Sequence, residues 1–527
     1  MGKKRRSSDH DVRVEYDEHS TLIGAPKTTA AGLRAVLVSA QRGFREMGLI
    51  RTAQAWRRLN QRDGFDCPGC AWPEEHGGRK FAEFCENGAK AVAEEATLRV
   101  ATPEFFARHS IAELAGKPEY WLSQQGRLTH PMVLLPGDDH YRPIEWDAAF
   151  SLISERLRAL PTPDAAAFYT SRRTSNEAAF LYQLMVRSFG TNNLPDCSNM
   201  CHESSGTALT ESIGIGKGSV TVADLEQADL IVIAGQNPGT NHPRMLSVLE
   251  RAKENGAKII AVNPLPEAGL IGFKDPQKVH GVVGNGIAIA DEFVQIRIGG
   301  DLALFKGLGR LLMEAEDRAP GTVVDRDFIA AHCHGFDEYE ADVRNVDLHT
   351  VSTATGIDRA QLDRVATMLA DSRKTILCWA MGLTQQTHAV ATIAEATNLL
   401  LLRGMIGKPG AGLCPVRGHS NVQGDRTMGI WEKAPETFLA ALDREFGISS
   451  PRPHGYDTVN AIRAMRDGRV SVFIGMGGNF AAASPDTAVT EAALANCALT
   501  VQISTKLNRS HVVHGHTALI LPALGRT

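Results

Sequence analysis

The sequence predicts an α/β protein built on parallel sheets, and two observations support that prediction. First, short apolar segments recur and are followed by segments with helical periodicity, as in ADLIVIAG, RMLSVLERAKENG and AKIIAVNP. Strand, helix and strand at this spacing form a βαβ unit, which requires parallel strands and a right-handed crossover. Second, 49 of the 527 residues are glycine and only 6% are aromatic, which favours βα turns and backbone-lined ligand sites over stacking surfaces.

The individual elements can be predicted in chain order. Residues 31–60 carry a helical pattern; from about residue 145, IEWDAAFSLISERLRAL predicts a helix, DAAAFYT a strand, and NEAAFLYQLMVRSFG a helix that ends at Gly190. KTILCWAMG predicts a strand before the helix HAVATIAEATNLLLLRGMIG, which Gly407 and Pro409 close, and RVSVFIGMGGN and ALTVQIST predict further strands. Three strands end in the similar loops AGQNP, AMGLTQ and GMGGN, and open α/β sheets bind ligands at the carboxyl ends of their strands.

Composition and charge exclude several classes of protein. The chain has 56 Lys and Arg against 60 Asp and Glu, a net charge of −4, which excludes a nucleic-acid binder whose affinity comes from overall positive charge. No apolar run approaches the length of a membrane span, and no apolar stretch follows Arg5-Arg6 as an export signal requires. We therefore expect a cytoplasmic protein, in which nine cysteines indicate metal binding, redox chemistry or burial instead of a disulfide framework.

The first cysteine group is formed by Cys67 and Cys70 in FDCPGCAWP and by Cys85 in FAEFCENGAK. A Cys-x-x-Cys turn allows both sulfur atoms to bind one metal ion or cluster. Several interpretations remain open here. A thioredoxin-like redox pair requires a preceding strand, which the sequence does not predict. A structural zinc site would use His76 as its fourth ligand, an iron–sulfur cluster would have only three nearby cysteines, and the thiols could also simply be buried.

The second cysteine group lies in GTNNLPDCSNMCHESSG, residues 190–206, where Cys201 and His202 precede a helical stretch. Further along the chain, residues 190–206 are followed in order by the segments DLIVIAGQNPGTNHP, GAKIIAVNP, IRIGGDLAL, AMGLTQ and GKPGAGLCPVRGHSNVQGDRTMG. In this order the segments resemble the prokaryotic molybdopterin-containing oxidoreductases, and most of all the alpha subunit of formate dehydrogenases. The resemblance covers about residues 60–527, and PVRGHSNVQG is its most specific part.

The resemblance implies a two-electron oxidoreductase with a molybdenum bis(molybdopterin guanine dinucleotide) cofactor, a 4Fe-4S cluster, and a small substrate such as formate. Cys201 would be the molybdenum ligand, since a thiolate suits this metal. His202 would take up a proton near neutral pH, and Arg417 would orient a carboxylate. The resemblance also assigns cofactor-binding positions in the loops that follow strands or open helices: Gly235, Asn237, His242, Asn263, Gly300, Asp301, Met381, Gln385, Gly418, Asn421 and Gln423.

The chain departs from the family in two respects. Cys67, Cys70 and Cys85 match three of the family's four cluster cysteines, and the remaining cluster position holds Glu74. Asn87 stands where the family has an electron-relaying lysine. A carboxylate can bind iron, so we expect a cluster of altered stability and potential. The chain also ends shortly after LILPAL, where the family continues into a β-rich domain over the cofactor. We therefore expect that domain to be missing from this sequence.

The resemblance divides the chain into domains. Residues 1–40 are expected to be a disordered tail and 41–131 an iron–sulfur-type domain. Residues 132–196 with 420–500 would form a split α/β pterin-binding domain, 197–419 a second one, and 501–527 a return segment. Two other functions stay open: a thiamine- or nucleotide-dependent α/β enzyme with a zinc-stabilised N-terminal domain, and a degenerate family member that acts as a regulatory or interaction protein. The electron partner is not specified by the sequence.

Overall fold

The computed structural model describes residues 25–74, 79, 82–171 and 173–527, and the structural statements below refer to these residues. His76, the predicted zinc ligand, lies outside them. The N-terminal part consists of helices separated by very short strands. Its elements are β1 (Ala30–Ala31), α1 (Gly32–Arg58), α2 (Glu86–Glu95), β2 (Val100–Ala101), α3 (Pro103–Arg108), α4 (Ile111–Ala115), α5 (Glu119–Ser123) and β3 (Arg127–Leu128).

Helix α1 confirms the helix predicted over residues 31–60. It includes residues 32–40, so the prediction of a disordered tail is wrong for that stretch. The helix bends at Gly48, where the backbone φ is 71°. Glycine adopts this left-handed value without steric cost, whereas a residue with a side chain rarely does.

The remaining chain alternates strands with helices and so follows the predicted α/β pattern. The first stretch contains β4 (Met132–Leu134), β5 (Arg142–Pro143), α6 (Trp146–Arg158), β6 (Ala166–Thr170) and α7 (Asn176–Phe189). The middle stretch contains α8 (Glu203–Ile213), α9 (Val222–Gln227), β7 (Leu230–Ala234), α10 (Pro238–Asn241), α11 (Pro243–Glu254), β8 (Lys258–Asn263), α12 (Ala268–Ile271), β9 (Gly272–Lys274), α13 (Val279–Val282), β10 (Ile287–Ala288), β11 (Glu292–Gln295), α14 (Asp301–Arg318), α15 (Arg326–His332), α16 (Phe336–Arg344), α17 (Leu348–Thr355), α18 (Arg359–Asp371), β12 (Thr375–Trp379), α19 (Met381–Thr384), α20 (Ala389–Leu402) and β13 (Gly412–Pro415). The last stretch contains α21 (Val422–Thr427), α22 (Glu436–Phe446), α23 (Thr458–Arg466), β14 (Val472–Met476), α24 (Phe480–Ala483), α25 (Thr487–Ala495), β15 (Leu499–Ser504) and β16 (Thr517–Pro522).

Two large sheets organise these elements. One has the strand order β5-β4-β16-β15-β14-β6, with β6, β14, β15 and β16 parallel and β4 and β5 antiparallel at one edge. The other is fully parallel, in the order β11-β8-β7-β12-β13. The predicted α/β class with parallel sheets is therefore confirmed. Among the described residues, no helix has both the length and the apolar character needed to cross a bilayer.

Strand β7 illustrates how the fully parallel sheet is buried on both faces. Ile231 and Ile233 pack with Met245 of α11 on one side, whereas Leu230 and Val232 pack with α14, α18 and α20 on the other. Successive side chains of a strand point to opposite faces. A parallel sheet covered by helices on both faces therefore needs strands that are apolar throughout, which explains the continuous apolar run of ADLIVIAG.

Helix α20 ends earlier than the sequence predicts. The prediction placed its closure at Gly407 and Pro409, but the helix ends at Leu402. Gly404 has a φ of 57°, its N–H donates to the carbonyl of Leu401, and the N–H of Met405 donates to the carbonyl of Leu400. These two bonds form a Schellman motif, which satisfies the last helical carbonyls and stops the helix at the first glycine that can adopt a left-handed conformation.

Buried His511 gives the fold a predictable sensitivity to acid. Its Nδ1 accepts a hydrogen bond from the backbone N–H of Asn508 at 3.0 Å, and burial lowers the pKa of His511 from 6.5 to about 4. Between those pH values the unfolded chain binds more protons than the folded one, so stability is complete above pH 6.5 and falls as the pH drops towards 4. The loss attributable to His511 should reach about 3 kcal/mol.

The His511→Asn variant tests this expectation, because asparagine keeps an acceptor near Nδ1 but does not titrate. Thermal unfolding of both proteins between pH 7.5 and about 4.5 should show a smaller acid-dependent loss for the variant. Parallel loss in the two proteins would show that His511 does not contribute to acid sensitivity.

Candidate functional site

The loops after strands β7 and β12 meet at the carboxyl end of the fully parallel sheet. Gly235 has a φ of 60°, and its carbonyl accepts a hydrogen bond from the N–H of Gly382 at 3.0 Å. A Cβ on Gly235 would lie 2.8 Å from Cα of Gly382, and a Cβ on Gly382 would lie 2.5 Å from Cα of Gly235. Since neither position has room for a side chain, two glycines are required for the loops to approach each other.

Cys201 lies where several predicted site segments come together. Its Sγ is 3.3 Å from Sδ of Met381, at the start of α19. A Cβ on Gly418 would lie 3.7 Å from the same sulfur. The side-chain amide of Gln385 donates to the carbonyl of Met200, the residue before Cys201, at 3.0 Å. The structure therefore groups Cys201 with Met381, Gln385 and Gly418, four residues that are distant along the chain.

His202 is buried beside Cys201, with 1% of its surface exposed. Its Nδ1 is 3.1 Å from Oγ of Ser205, and that hydroxyl also accepts a hydrogen bond from the indole of Trp379 at 2.9 Å. Burial, followed by the positive charge of Arg417, lowers the pKa of His202 to about 3. The imidazole is thus neutral at physiological pH, contrary to the expectation that it takes up a proton near neutral pH.

Arg417 and His242 connect the PVRG segment to two neighbouring loops. Arg417 is 8% exposed; its Nη1 donates to the carbonyl of His202 at 3.3 Å and its Nη2 to the carbonyl of Gly216 at 2.7 Å. Nε2 of His242 donates to the carbonyl of Arg417 at 2.8 Å, and burial lowers the pKa of His242. Both side chains therefore hold the backbone around Cys201 in place.

Asn263, Gly300 and Asp301 belong to the same end of the fully parallel sheet. Asn263 is the last residue of β8, and its Nδ2 donates to the carbonyl of Gln236 at 2.9 Å. Gly300 precedes α14 and Asp301 begins it. The carboxylate of Asp301 accepts a hydrogen bond from Nε2 of Gln386 at 2.7 Å, and burial raises the pKa of Asp301. The first of these bonds joins the loop after β8 to the loop after β7, and the second joins the start of α14, which follows β11, to the loop after β12.

Three predicted residues are placed apart from this group in the described structure. Asn237 donates to the carboxylate of Glu267 at 2.8 Å, and Asn421 donates to the carbonyl of Thr174 at 2.7 Å. Gln423 is exposed on α21. In the described structure, loop-to-loop contacts thus bring together seven of the eleven predicted cofactor positions, Gly300 adjoins one of them, and the three residues above lie outside these contacts.

The first cysteine group surrounds Gly88 near the start of α2. A Cβ on Gly88 would lie 3.0 Å from Sγ of Cys67 and 3.9 Å from Sγ of Cys85, so the two sulfurs are no further apart than the sum of those distances. Burial raises the pKa of Cys67 to about 12 and also raises the pKa of Cys70 and of Cys85. Within the described residues, no three Cys, His, Asp or Glu side chains converge closely enough to hold a single metal ion.

Glu74, at the family's fourth cluster position, forms an ion pair. Its Oε1 lies 3.1 Å from Nη1 of Arg244, whose Nη2 lies 2.8 Å from Oε1 of Glu83. Asn87, in the family's lysine position, donates to the carbonyl of Thr240 at 2.5 Å. Both departures from the family are therefore accompanied by contacts with the middle part of the chain.

The segment around Cys70 packs directly against the loop that borders Cys201. The N–H of Ala71 donates to the carbonyl of Gly418 at 3.1 Å, and Cys70 and His419 form an antiparallel bridge. Because Gly418 also borders the Cys201 sulfur, one short stretch of backbone separates the two cysteine groups.

A second cysteine beside Cys201 was missed by the sequence prediction. Buried Cys197 has its Sγ 3.0 Å from Nδ1 of His419 and 3.3 Å from the carbonyl of Ser171. Cys197 and His419 both lie inside the motifs that carry the resemblance. Cys197 is four residues before Cys201, and His419 is two residues after Arg417. Position in those motifs was thus an available signal, but their pairing depends on tertiary contact.

Buried polar atoms indicate that the loops at this end of the sheet accommodate a polar ligand. Oε1 of Gln236, Oγ1 of Thr384 and Oγ of Ser420 are buried and have no hydrogen-bond partner within the described structure. They follow β7, β12 and β13, three neighbouring strands. Leaving such atoms unpaired costs free energy. Their position in these loops, beside the close contact between Gly235 and Gly382, fits a bound group with many hydrogen-bond donors and acceptors.

A parallel α/β fold with a cysteine and unpaired polar atoms among its carboxyl-end loops is typical of a ligand-binding α/β protein. The chain belongs to the molybdopterin oxidoreductase family, because the family model described as "Molybdopterin oxidoreductase" matches residues 127–523. The predicted resemblance is therefore confirmed, and the thiamine- or nucleotide-dependent alternative is not supported.

Individual proteins agree with this assignment. The chain is 76% identical over 524 residues to an uncharacterized oxidoreductase of Mycobacterium tuberculosis, covering 99% of this chain and 67% of that protein. It is 32% identical over 317 residues to formate dehydrogenase H of Escherichia coli, covering 59% of this chain and 41% of that protein. The chain thus spans about two thirds of the length of its mycobacterial relative.

A solved structure supports the fold. Acetylene hydratase from Pelobacter acetylenicus superimposes with a TM-score of 0.58 at 17% sequence identity, covering 75% of this chain and 55% of that protein. At this identity the similarity concerns the fold alone.

Proposed function

We propose that the chain is part of a formate dehydrogenase-like oxidoreductase that binds molybdenum bis(molybdopterin guanine dinucleotide). The observation that carries the proposal is the position of Cys201, whose sulfur lies beside Met381 and Gly418 among loops that contain buried, unpaired polar atoms. The identity with formate dehydrogenase H supports a small substrate, with formate as the first candidate. We further propose a cytoplasmic protein that does not bind nucleic acid.

The residues around Cys201 have distinct proposed roles. When bound, the molybdenum–pterin group supplies two-electron redox chemistry. Cys201 would ligate the metal through Sγ. Neutral His202 and the guanidinium of Arg417 would line the substrate side, where the positive charge of Arg417 favours a carboxylate. The hydrogen bond from the Arg417 guanidinium to the carbonyl of His202 fixes how these two residues are placed relative to each other.

The other predicted positions would hold the pterin nucleotide arms. Glycines at 235, 300 and 418 allow a phosphate-bearing group to approach the backbone. The side chains proposed to bind the cofactor beside them are Asn237, His242, Asn263, Asp301, Met381, Gln385, Asn421 and Gln423. We retain the domain division with these roles, except that the tail is shortened by α1.

We also propose a 4Fe-4S cluster at Cys67, Cys70 and Cys85, connected to an electron-transfer partner. A single zinc ion holds sulfur ligands about 2.3 Å away, so its ligands converge tightly. The described thiols do not converge in that way, although the sulfurs of Cys67 and Cys85 both lie close to Gly88. Cysteine thiolates are the ligands of iron–sulfur clusters, and a cluster of several iron atoms does not require them to meet at one point, so we favour iron–sulfur over zinc.

A second candidate function is a degenerate family member without turnover that acts as a regulatory or interaction protein. The ion pair between Glu74 and Arg244 favours it, because a carboxylate engaged by an arginine is less available to an iron atom. This candidate predicts a chain that lacks molybdenum, or that binds it without any redox change.

Metal and nucleotide analysis of the anaerobically purified protein tests the proposal. We expect molybdenum or tungsten, iron with acid-labile sulfide, and guanine nucleotide released by acid. The Cys67→Ser variant should lose iron while it keeps the molybdenum and nucleotide, because Cys67 lies in the separate N-terminal site. Zinc as the bound metal, or iron retained by Cys67→Ser, would contradict the cluster assignment. Absence of both molybdenum and tungsten would favour the degenerate candidate.

A further inference from the structure

A basic cavity lies at the end of α1 and has no role in the proposed chemistry. Its volume is about 630 Å³, and four arginines line it: Arg57, Arg58, Arg62 and Arg79. Asp63 is the acidic side chain among the lining residues that the structure describes. We call this feature the arginine pocket.

The charge of the arginine pocket is opposite to that of the whole chain. The protein carries a net charge of −4, whereas the described lining has four positive side chains and one negative. Nη1 of Arg79 is buried and has no hydrogen-bond partner in the described part of the chain. A guanidinium with an unsatisfied buried N–H is stabilised by an anionic acceptor, so the pocket is suited to bind carboxylates or phosphates.

The arginine pocket is connected to the first cysteine group by a tight loop. The N–H of Phe65 donates to the carbonyl of Arg58 at 3.1 Å, and the side-chain oxygen of Asn60 accepts from the N–H of Cys67 at 2.8 Å. Leu59 and Phe65 also belong to the apolar cluster that includes Cys67. The pocket therefore adjoins the loop that leads to Cys67.

We propose that the arginine pocket is the docking surface for an acidic iron–sulfur electron-carrier protein. The proposal rests on the cluster assigned above under the proposed function. When bound, a cluster at the first cysteine group would exchange one electron with the carrier at each docking, without bond formation or proton transfer. Two such events would match one two-electron turnover of the substrate.

Exposure favours a protein over a small anion as the occupant. Arg57, Arg58 and Arg62 are exposed, so their charges extend over a surface beyond the cavity. Charges at the rim of an interface steer a complementary protein and raise its association rate. The acidic carrier would place carboxylates against these arginines and bring its redox centre towards the loop that holds Cys67.

Binding of a plant-type [2Fe-2S] ferredoxin, a small acidic protein, is the direct test. Calorimetry with the full chain should detect binding that weakens about tenfold when NaCl rises from about 20 to about 200 mM, because salt screens exposed charges. The triple variant Arg57→Gln, Arg58→Gln, Arg62→Gln should bind the ferredoxin about tenfold more weakly at low salt. Circular dichroism and thermal unfolding verify that this variant is folded.

A matched control removes three exposed arginines elsewhere. Arg156 and Arg158 on α6 and Arg444 on α22 are exposed, and their replacement by glutamine changes the net charge equally. This control should bind the ferredoxin as the wild type does. An equal loss in both triple variants, no loss in either, or no ferredoxin binding by the wild type would overturn the proposal. Saturable binding of inorganic pyrophosphate without ferredoxin binding would identify a small-anion site instead.

The same measurements separate this proposal from the proposed function. Calorimetry reports docking whether or not iron is present, whereas reduction of the ferredoxin in a stopped-flow experiment requires the cluster. Arginine-dependent binding in a protein that lacks iron would support the docking surface and contradict the cluster. An iron-containing protein whose ferredoxin binding does not depend on the three arginines would support the cluster and contradict the docking surface.

Discussion

Replacing Cys201 with alanine should reduce turnover at least about a hundredfold, because loss of a direct metal ligand exceeds the 10- to 100-fold effect typical of residues that support ligands. The sulfur lies 3.3 Å from Sδ of Met381 and borders Gly418, so its removal empties the centre of the loop cluster without disturbing the sheet. Iron content should not change, since Cys67, Cys70 and Cys85 belong to a separate group. Turnover of the wild-type substrate, metal content and the molybdenum(V) electron paramagnetic resonance spectrum are the measurements.

Cys197 provides the matched control in the same segment. Its thiol contacts His419 and the carbonyl of Ser171, so Cys197→Ser removes a buried cysteine but retains a hydrogen-bonding group. We expect its molybdenum(V) spectrum to resemble that of the wild type, whereas Cys201→Ala should alter or abolish the spectrum. A wild-type spectrum in Cys201→Ala would remove Cys201 from the metal, as would turnover within a few-fold of the wild type.

Substituting alanine for Gly235 should destabilise the fold by about 2–5 kcal/mol, from two contributions. The left-handed φ of 60° costs a residue with a Cβ about 1–2 kcal/mol. The Cβ would also lie 2.8 Å from backbone atoms of Gly382, and forcing atoms into packed space adds about 1–3 kcal/mol. Because the contact joins the loops after β7 and β12, cofactor content should fall together with the thermal unfolding temperature.

Gly299 and Gly382 separate the two contributions. Gly299 has a φ of 86° and would place its Cβ in open space, so Gly299→Ala should show the conformational cost alone. Gly382→Ala should show mainly the steric cost, since its Cβ would lie 2.5 Å from Cα of Gly235. If Gly235→Ala lowers the unfolding temperature no more than Gly299→Ala does, the close approach of the loops is not a source of stability.

The helices and strands around the site follow closely from sequence periodicity. The strand predicted in ADLIVIAG is β7, the helix ending at Gly190 is α7, and Gly300 and Asp301 open α14 as expected. Where prediction and structure differ, local backbone chemistry explains the difference: α20 stops at Gly404, and α1 begins within the predicted tail. The apolar pattern determines where an element lies, but the residue at which it ends depends on which capping bonds form first.

The protonation state of His202 could not be predicted in the same way. A histidine next to a cysteine in a polar motif has an ordinary pKa near 6.5 in the unfolded chain. The folded chain buries it against Trp379, Ser205 and Arg417, and its pKa falls to about 3. Ser205 is a local neighbour, but Trp379 and the charge of Arg417 come from about 200 positions away, so the local sequence does not contain them.

The sequence by itself determined the family, the α/β class and the residue types available for chemistry, because motifs and apolar periodicity are local properties of the chain. Tertiary structure alone decided which of them meet. It grouped Cys201 with Met381 and Gly418, paired Cys197 with His419, engaged Glu74 with Arg244, and set the arginine pocket beside the loop that leads to Cys67. The physical reason is that distance, burial and charge at a site are summed over segments that only the folded sheets bring together.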